Sequence, residues 1–412
     1  MKRLFALRAR RTKAKKYKYR ENKMAQEQKQ RIEWLDGLKG VLCVLIFTHH
    51  FCLLFFPAIH YGTRAPSYLQ GVDTYLSQSP LSVVLNGNYM VALFCVISAV
   101  VISRSLIRSK NTKKLLGVVC KRYFRLMLPL FFVGFLSFIA LQFGWFSNQT
   151  VSQITQSPWG IQYYQQPISF GEFLQSALYT TWFVGDATLS TSFWMLSALF
   201  FGTFICALLS ILSWIFPKKS WLIYLILSAF LFNNTKFALA FTLGTLLAWM
   251  SVHAPKCFHK YAGIVAVAIG LFLGAFPSGV TPTNFYKYLA FLKYTDWHIL
   301  GAAFTVYGVF SCGILQKMLL WKPFKVLGRI SYSVYLLHIF ILFTVTTWLF
   351  LWIYPTVQYL PSVIICFSVS LCVLLLASFF YQRYVESNLE KLQKRVWEGL
   401  TKRVKKKNTP AK

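Results

Sequence analysis

Residues 31–57 read RIEWLDGLKGVLCVLIFTHHFCLLFFP, and the fold follows from how this stretch is understood. From Val41 to Phe56 it is apolar enough to enter a bilayer, yet His49 and His50 stand in the middle of the run. Ionisable side chains are costly in hydrocarbon and seldom face lipid, so two of them in a first hydrophobic segment require a partner inside a bundle. Lys39 and His50 are eleven residues apart, roughly three turns plus 20°, which puts both on one helix face about 16 Å apart. Asp36 lies near that face too. A cation at the water boundary, in line with an imidazole near mid-membrane, suits a phosphorylated substrate whose reactive end reaches into the bilayer.

Composition points the same way. With 412 residues, 56% hydrophobic, 18% aromatic and 13% charged, the chain has more apolar surface than a soluble domain can bury, and it reads as an all-α polytopic membrane protein. The net charge of +33 is not spread over a fold. Residues 1–31 hold thirteen Lys/Arg against two Glu, and nine more Lys/Arg follow from Lys391 onward. Such flanks mark the cytoplasmic side of membrane spans and attract anionic headgroups; neither is tied to a nucleic-acid-reading module, so no nucleic-acid partner is expected. The nine cysteines sit nearly all inside apolar runs, as small core residues, and no disulfide is expected. The first apolar run follows a long polar tail and reads as a signal anchor, not a cleaved leader.

Apolar runs recur at about 38–56, 81–103, 126–146, 193–216, 220–232, 235–251, 261–277, 298–319, 328–353 and 361–383. Basic residues crowd the expected loops 104–125, 217–219, 253–260 and 317–325, whereas 147–192 has no Lys or Arg at all. The positive-inside rule therefore predicts about ten transmembrane helices with both termini cytoplasmic. Three parts follow: a basic, disordered tail over 1–31, a transmembrane domain over 32–390, and a second basic tail over 391–412. The pair 220–251 is short for two full crossings and is equally readable as re-entrant.

Three further constellations stand out. Arg122 and Arg125 open the third run three residues apart, a spacing that serves either as interfacial anchoring or as a bidentate phosphate clamp. Ser331, Tyr335 and His338 form a polar stripe at i, i+4, i+7 on an otherwise apolar helix, suited to interhelical hydrogen bonding or to a shared chamber with His49 and His50. Trp194 opens the span after the long outer segment, in the place of a belt residue. His60, His253 and His298 lie near span ends, where an interfacial role is the default. His49 and His50 are adjacent and do not face each other, so no metal site is expected. No P-loop, G-x-S-x-G or H-E-x-x-H sequence occurs.

These residues together resemble the integral membrane acyltransferase family 3, the multispanning O-acyltransferases of surface glycans. Leu35-Asp36-Gly37-Leu38-Lys39-Gly40 with His50 is similar to the family's first-helix signature, with Lys for the usual Arg. Arg122 and Arg125 match its R-x-x-R. Phe94 to Ser98 is similar to its F-x-x-S-G type segment, with Ala99 for Gly. Gly328 to His338 is close to G-R-x-S-Y-x-x-Y-x-x-H, and Tyr384-Val-Glu386 resembles its closing motif. One departure is the W-x-[LM]-x-x-E segment, where the run from Trp194 lacks the Glu.

The resemblance implies a multi-pass enzyme of the plasma membrane that passes an acyl group, acetyl in the first instance, from cytoplasmic acyl-CoA (acetyl-CoA) to a hydroxyl of a surface or lipid-linked glycan. It implies His50 as catalytic, with Asp36 and His338 assisting, and Lys39, Arg122 and Arg125 on the CoA phosphates. His49, Ser98, Ser331, Tyr335 and Trp194 are further chamber candidates. Two other readings stay open: a proton-coupled transporter of a lipid-linked sugar, and a membrane subunit that delivers acyl groups to a separate extracellular transferase.

Overall fold

A computed structural model describes residues 32–234 and 237–407, with side chains to Gly399. The basic tail expected over 1–31 lies outside the described residues. The chain is helical, with no strand among the described residues. Six helices are long and apolar enough to cross a membrane: α1 (Glu33–Phe55), α2 (Gly87–Ser109), α3 (Thr112–Gln142), α4 (Trp194–Ile215), and, after three shorter ones, α9 (Lys322–Ile353) and α10 (Tyr359–Gly399). A bent pair, Tyr294–Ser311 followed at 95° by Gly313–Leu319, makes a seventh and is α8. The shorter apolar helices are α5 (Ser220–Leu231), α6 (Ala238–His253) and α7 (Lys260–Gly274). The ten expected spans thus correspond to six long helices, one bent helix and three helices shorter than the roughly 20 residues that a hydrocarbon core about 30 Å thick requires.

Two segments differ from their sequence reading. The basic stretch 104–125 is not a loop: α2 runs to Ser109 and α3 starts at Thr112, so Arg122 and Arg125 sit well inside α3 and not at its start. The positive-inside rule reads charge, and charge says nothing of whether the backbone is coiled. Residues 391–407 likewise continue as helix from α10.

The centre of the bundle is α2, 67% of whose apolar window is buried, against 28% for α10 at the periphery. Its neighbours include α1, α4, α6 and α8. A tight seam joins α1 to α9. A Cβ on Gly40 would come within 2.5 Å of the backbone N of Gly328, one on Gly328 within 2.2 Å of the Asp36 carbonyl oxygen, and one on Gly37 within 2.1 Å of the Leu319 carbonyl oxygen. Glycine at these positions lets the two backbones touch. The Cys43 thiol donates to the Ser331 carbonyl (3.0 Å), and Lys325 pairs with Glu33 (2.7 Å) at the helix starts. Gly40/Gly328, Cys43/Ser331 and His50/His338 share one offset of 288 positions, which makes the two helices parallel and in register.

The segment between α3 and α4 folds over the end of the bundle opposite the basic one. Its short helices are Asn148–Thr155, Gly160–Gln162 and Phe170–Gln175, the last capped by a reciprocal Ser169–Glu172 box. Residues 342–346 of α9 form a π turn. The Ser147 amide donates to the Phe343 carbonyl within it, which ties the segment to α9 just beyond His338.

Candidate active site

Ten residues above the glycine seam, roughly 15 Å along either helix, α1 and α9 bring His50 and His338 face to face. Their ring centroids are 5.0 Å apart. His338 is fully buried and His50 half-buried. The Nδ1 of His50 lies 3.0 Å from the Ile46 carbonyl and that of His338 2.7 Å from the Tyr335 carbonyl. A carbonyl only accepts, so each Nδ1 carries the proton and each Nε2 keeps its lone pair. The His338 Nε2 is enclosed with no hydrogen-bond partner among the described residues.

Two more imidazoles and an indole complete the cluster. His49 lies 5.0 Å from His50, donates from Nδ1 to the Leu85 carbonyl (2.7 Å) and sits 6.0 Å from His60. Its ring occupies space where a Cβ on Gly87 would fall within 2.3 Å. Trp159, from the segment over the far end, packs 5.2 Å from His50. It reaches α1 because Gly160 leaves room: a Cβ there would meet Ser152 Oγ at 2.2 Å and a Leu54 methyl at 2.7 Å. Burial, with a smaller contribution from Arg64, lowers the pKa of His60 to about 4. Among the described residues no three His, Cys, Asp or Glu side chains converge as a metal site.

The remaining candidates separate into neighbourhoods. Tyr335 lies 6.0 Å from His338 and donates to the Ser192 carbonyl (2.5 Å), joining α9 to the start of α4. Ser331 faces the seam and donates to Gly328 of its own helix (3.0 Å). Ser98 is half-buried on α2 and takes no part in the hydrogen bonding of this cluster. Trp194 packs on Phe237 (5.6 Å) and lines a separate small cavity with His298, Asn88 and Thr295. His298, expected at an interface, is buried there and hydrogen-bonded to the Phe276 carbonyl (2.8 Å).

At the basic end, Lys39 pairs with Asp36 (3.4 Å) on α1. Arg122 is half-buried on α3, its Nε enclosed without a partner, within electrostatic reach of Tyr332 and Cys206. Arg125 turns outward, 58% exposed, and pairs with Glu390 of α10 (3.1 Å). The two arginines therefore do not form a symmetrical clamp. α9 runs between α1 and α3, its Tyr332 hydroxyl donating to the Leu126 carbonyl (2.6 Å), and Glu386 of the closing motif accepts from Ser333 (2.7 Å). Every motif the sequence singled out at this end thus packs against α9.

Sequence reasoning missed Trp159, the approach of His60 to His49, and Glu390. The first two lie in connecting segments with no periodic pattern, and Pro158 and Gly160 around Trp159 are the sole local sign of a fixed turn.

Compared with known proteins, the chain matches the family model described as an acyltransferase domain of family 3 over residues 32–379. No curated protein and no solved structure matches it.

Proposed function

Because the chain belongs to acyltransferase family 3, we propose that this acyltransferase moves an acetyl or similar short acyl group from acyl-CoA to a hydroxyl of a surface or lipid-linked glycan at the plasma membrane. The observation that carries the reading is the facing pair His50 and His338, each with Nδ1 held by a carbonyl and Nε2 left to act. An acceptor hydroxyl gives its proton to His50 Nε2 as its oxygen attacks the thioester carbonyl. The tetrahedral intermediate collapses, the C–S bond breaks as the ester C–O bond remains, and the proton passes from His50 to the departing thiolate. His338 Nε2, a second acceptor beside it, is placed to take a hydrogen bond from a neighbouring hydroxyl of the same sugar. Arg122, with its unpartnered Nε, and Lys39, steadied by Asp36, serve the phosphates of CoA; Arg125 joins them once Glu390 yields.

The test is donor dependence. Purified chain in lipid nanodiscs with radiolabelled acetyl-CoA transfers label to glycan or, lacking acceptor, slowly to water. Sugar movement across a vesicle wall with no thioester present would instead make the chain a carrier, and label transfer only in the presence of a second, secreted protein would make it a delivery subunit.

A further inference from the structure

A cavity of about 290 Å³ opens on the end of the bundle opposite the basic one, within the segment that has no Lys or Arg. Gln162, Tyr163, Gln165, Gln166, Asp186 and Thr188 line it. The geometry points to this cavity as a binding subsite for one neutral sugar unit of the acceptor, adjacent to the unit that is acylated; this rests on the acyl-transfer reading above only for what happens next to it.

The lining carries the argument. Gln162 donates its amide to the Pro158 carbonyl (2.7 Å) and Gln165 donates to the Ile161 carbonyl (3.0 Å), each one turn back, which fixes both side chains. Their Oε1 atoms take no hydrogen bond among the described residues and remain as oriented acceptors for sugar hydroxyls. Gln166 is exposed beside them. The Asp186 carboxylate, by contrast, is fully used: Oδ2 accepts from Ser176 (2.6 Å) and Thr180 (2.9 Å), Oδ1 from the backbone and hydroxyl of Thr188 (2.9 and 2.6 Å). It braces the wall and has no lone pair to spare for a cationic ligand. Uncharged amides and a tyrosine face suit a neutral polyol and suit neither an anion nor a cation.

The wall is also held at a cost. Tyr164 sits in the left-handed region (φ 56°), rare for an aromatic residue. Its ring stacks on Phe146 (4.0 Å) and its hydroxyl donates to the Leu189 carbonyl (3.1 Å). A π turn over Ser176–Thr180 supplies the two hydroxyls that grip Asp186. Strain and π turns persist where surrounding structure fixes a shape that function needs. The position fits as well: Tyr163 lines the cavity and packs 5.8 Å from Trp159, which packs 5.2 Å from His50. A sugar in the cavity therefore directs the next unit of its chain over Trp159 toward the imidazoles. At the low end of the roughly 300–1,000 Å³ usual for ligand pockets, the volume suits a single ring and not an oligosaccharide.

Saturation-transfer NMR on the full chain in nanodiscs tests this, with methyl glycosides of glucose, galactose and N-acetylglucosamine and their disaccharides as probes. At least one probe is expected to receive saturation on its ring protons from wild type and equally from His50→Ala. The triple variant Gln162→Ala/Gln165→Ala/Gln166→Ala changes exposed side chains only and is expected to weaken that binding by about tenfold or more, as two or three lost hydrogen bonds require. No saturation of any probe by wild type, or undiminished binding by the triple variant, overturns the site. Adding acetyl-CoA separates it from the acyl-transfer reading. Sugar binding without ester formation leaves the subsite and removes the transferase, whereas ester formation by the triple variant at the wild-type KM for acceptor removes the subsite and leaves the transferase.

Discussion

At the scale of single residues, the proposed chemistry rests on imidazoles whose tautomers are set by backbone carbonyls. Replacing His50 with Ala removes the base and is expected to cost on the order of 10²–10⁴ in transfer rate while the protein still reaches the membrane, measured as label transfer per mole of inserted protein; wild-type turnover by that variant would end the proposed mechanism. His60 offers a pH experiment. It is half-buried, and its pKa, lowered mainly by desolvation, is about 4 in the folded chain, against the ordinary value near 6.5. The unfolded chain binds the proton first, so stability from this group is present above pH 6.5 and is lost progressively as pH falls toward 4. His60→Asn is expected to flatten the fall in thermal midpoint over that window, and parallel curves for the two proteins would contradict it. His50 was legible because an ionisable group in an apolar run is conspicuous. Trp159 and the approach of His60 to His49 were not, since connecting segments carry no period that says which way a side chain turns.

The element that positions these residues is the parallel pair α1 and α9. Its glycines were visible as motif letters, but their purpose, contact between two backbones, is a tertiary fact that a single sequence does not print. Gly328→Ala would place a methyl 2.2 Å from the Asp36 carbonyl oxygen. It is expected to push the helices apart, cost about 1–3 kcal/mol of stability and lower transfer by separating His338 from His50, read by thermal shift and label transfer together. Gly313→Ala, whose added methyl meets nothing within 4 Å, is the control and is expected to behave as wild type. The basic stretch 104–125 shows the converse. Its charge pattern marks the basic end of the bundle, while its helical conformation and the outward turn of Arg125 toward Glu390 of α10 are tertiary facts that charge does not report.

For the molecule as a whole, the proposed orientation sets the thioester at one membrane face and the acceptor at the other. Cys120, exposed on α3, is expected to react with a membrane-impermeant maleimide only after cells are opened, and a cysteine placed at Gln166 is expected to react in intact cells; the opposite pattern would invert the assignment of donor and acceptor sides. Long apolar runs and the skew of Lys and Arg made the polytopic fold readable, whereas the lengths of α5, α6 and α7 and the bend in α8 were not, because hydropathy reports a tendency to leave water and not where a helix stops. The fixed offset of 288 positions between the two halves of the histidine pair also bears on biosynthesis. The ribosome delivers His50 to the membrane near the beginning of translation, and its complement His338 emerges only after about four-fifths of the 412 residues have been made. Until then the nascent protein holds His50 in the membrane without the imidazole that faces it, so a message truncated before α9 is expected to yield a product open to membrane quality control.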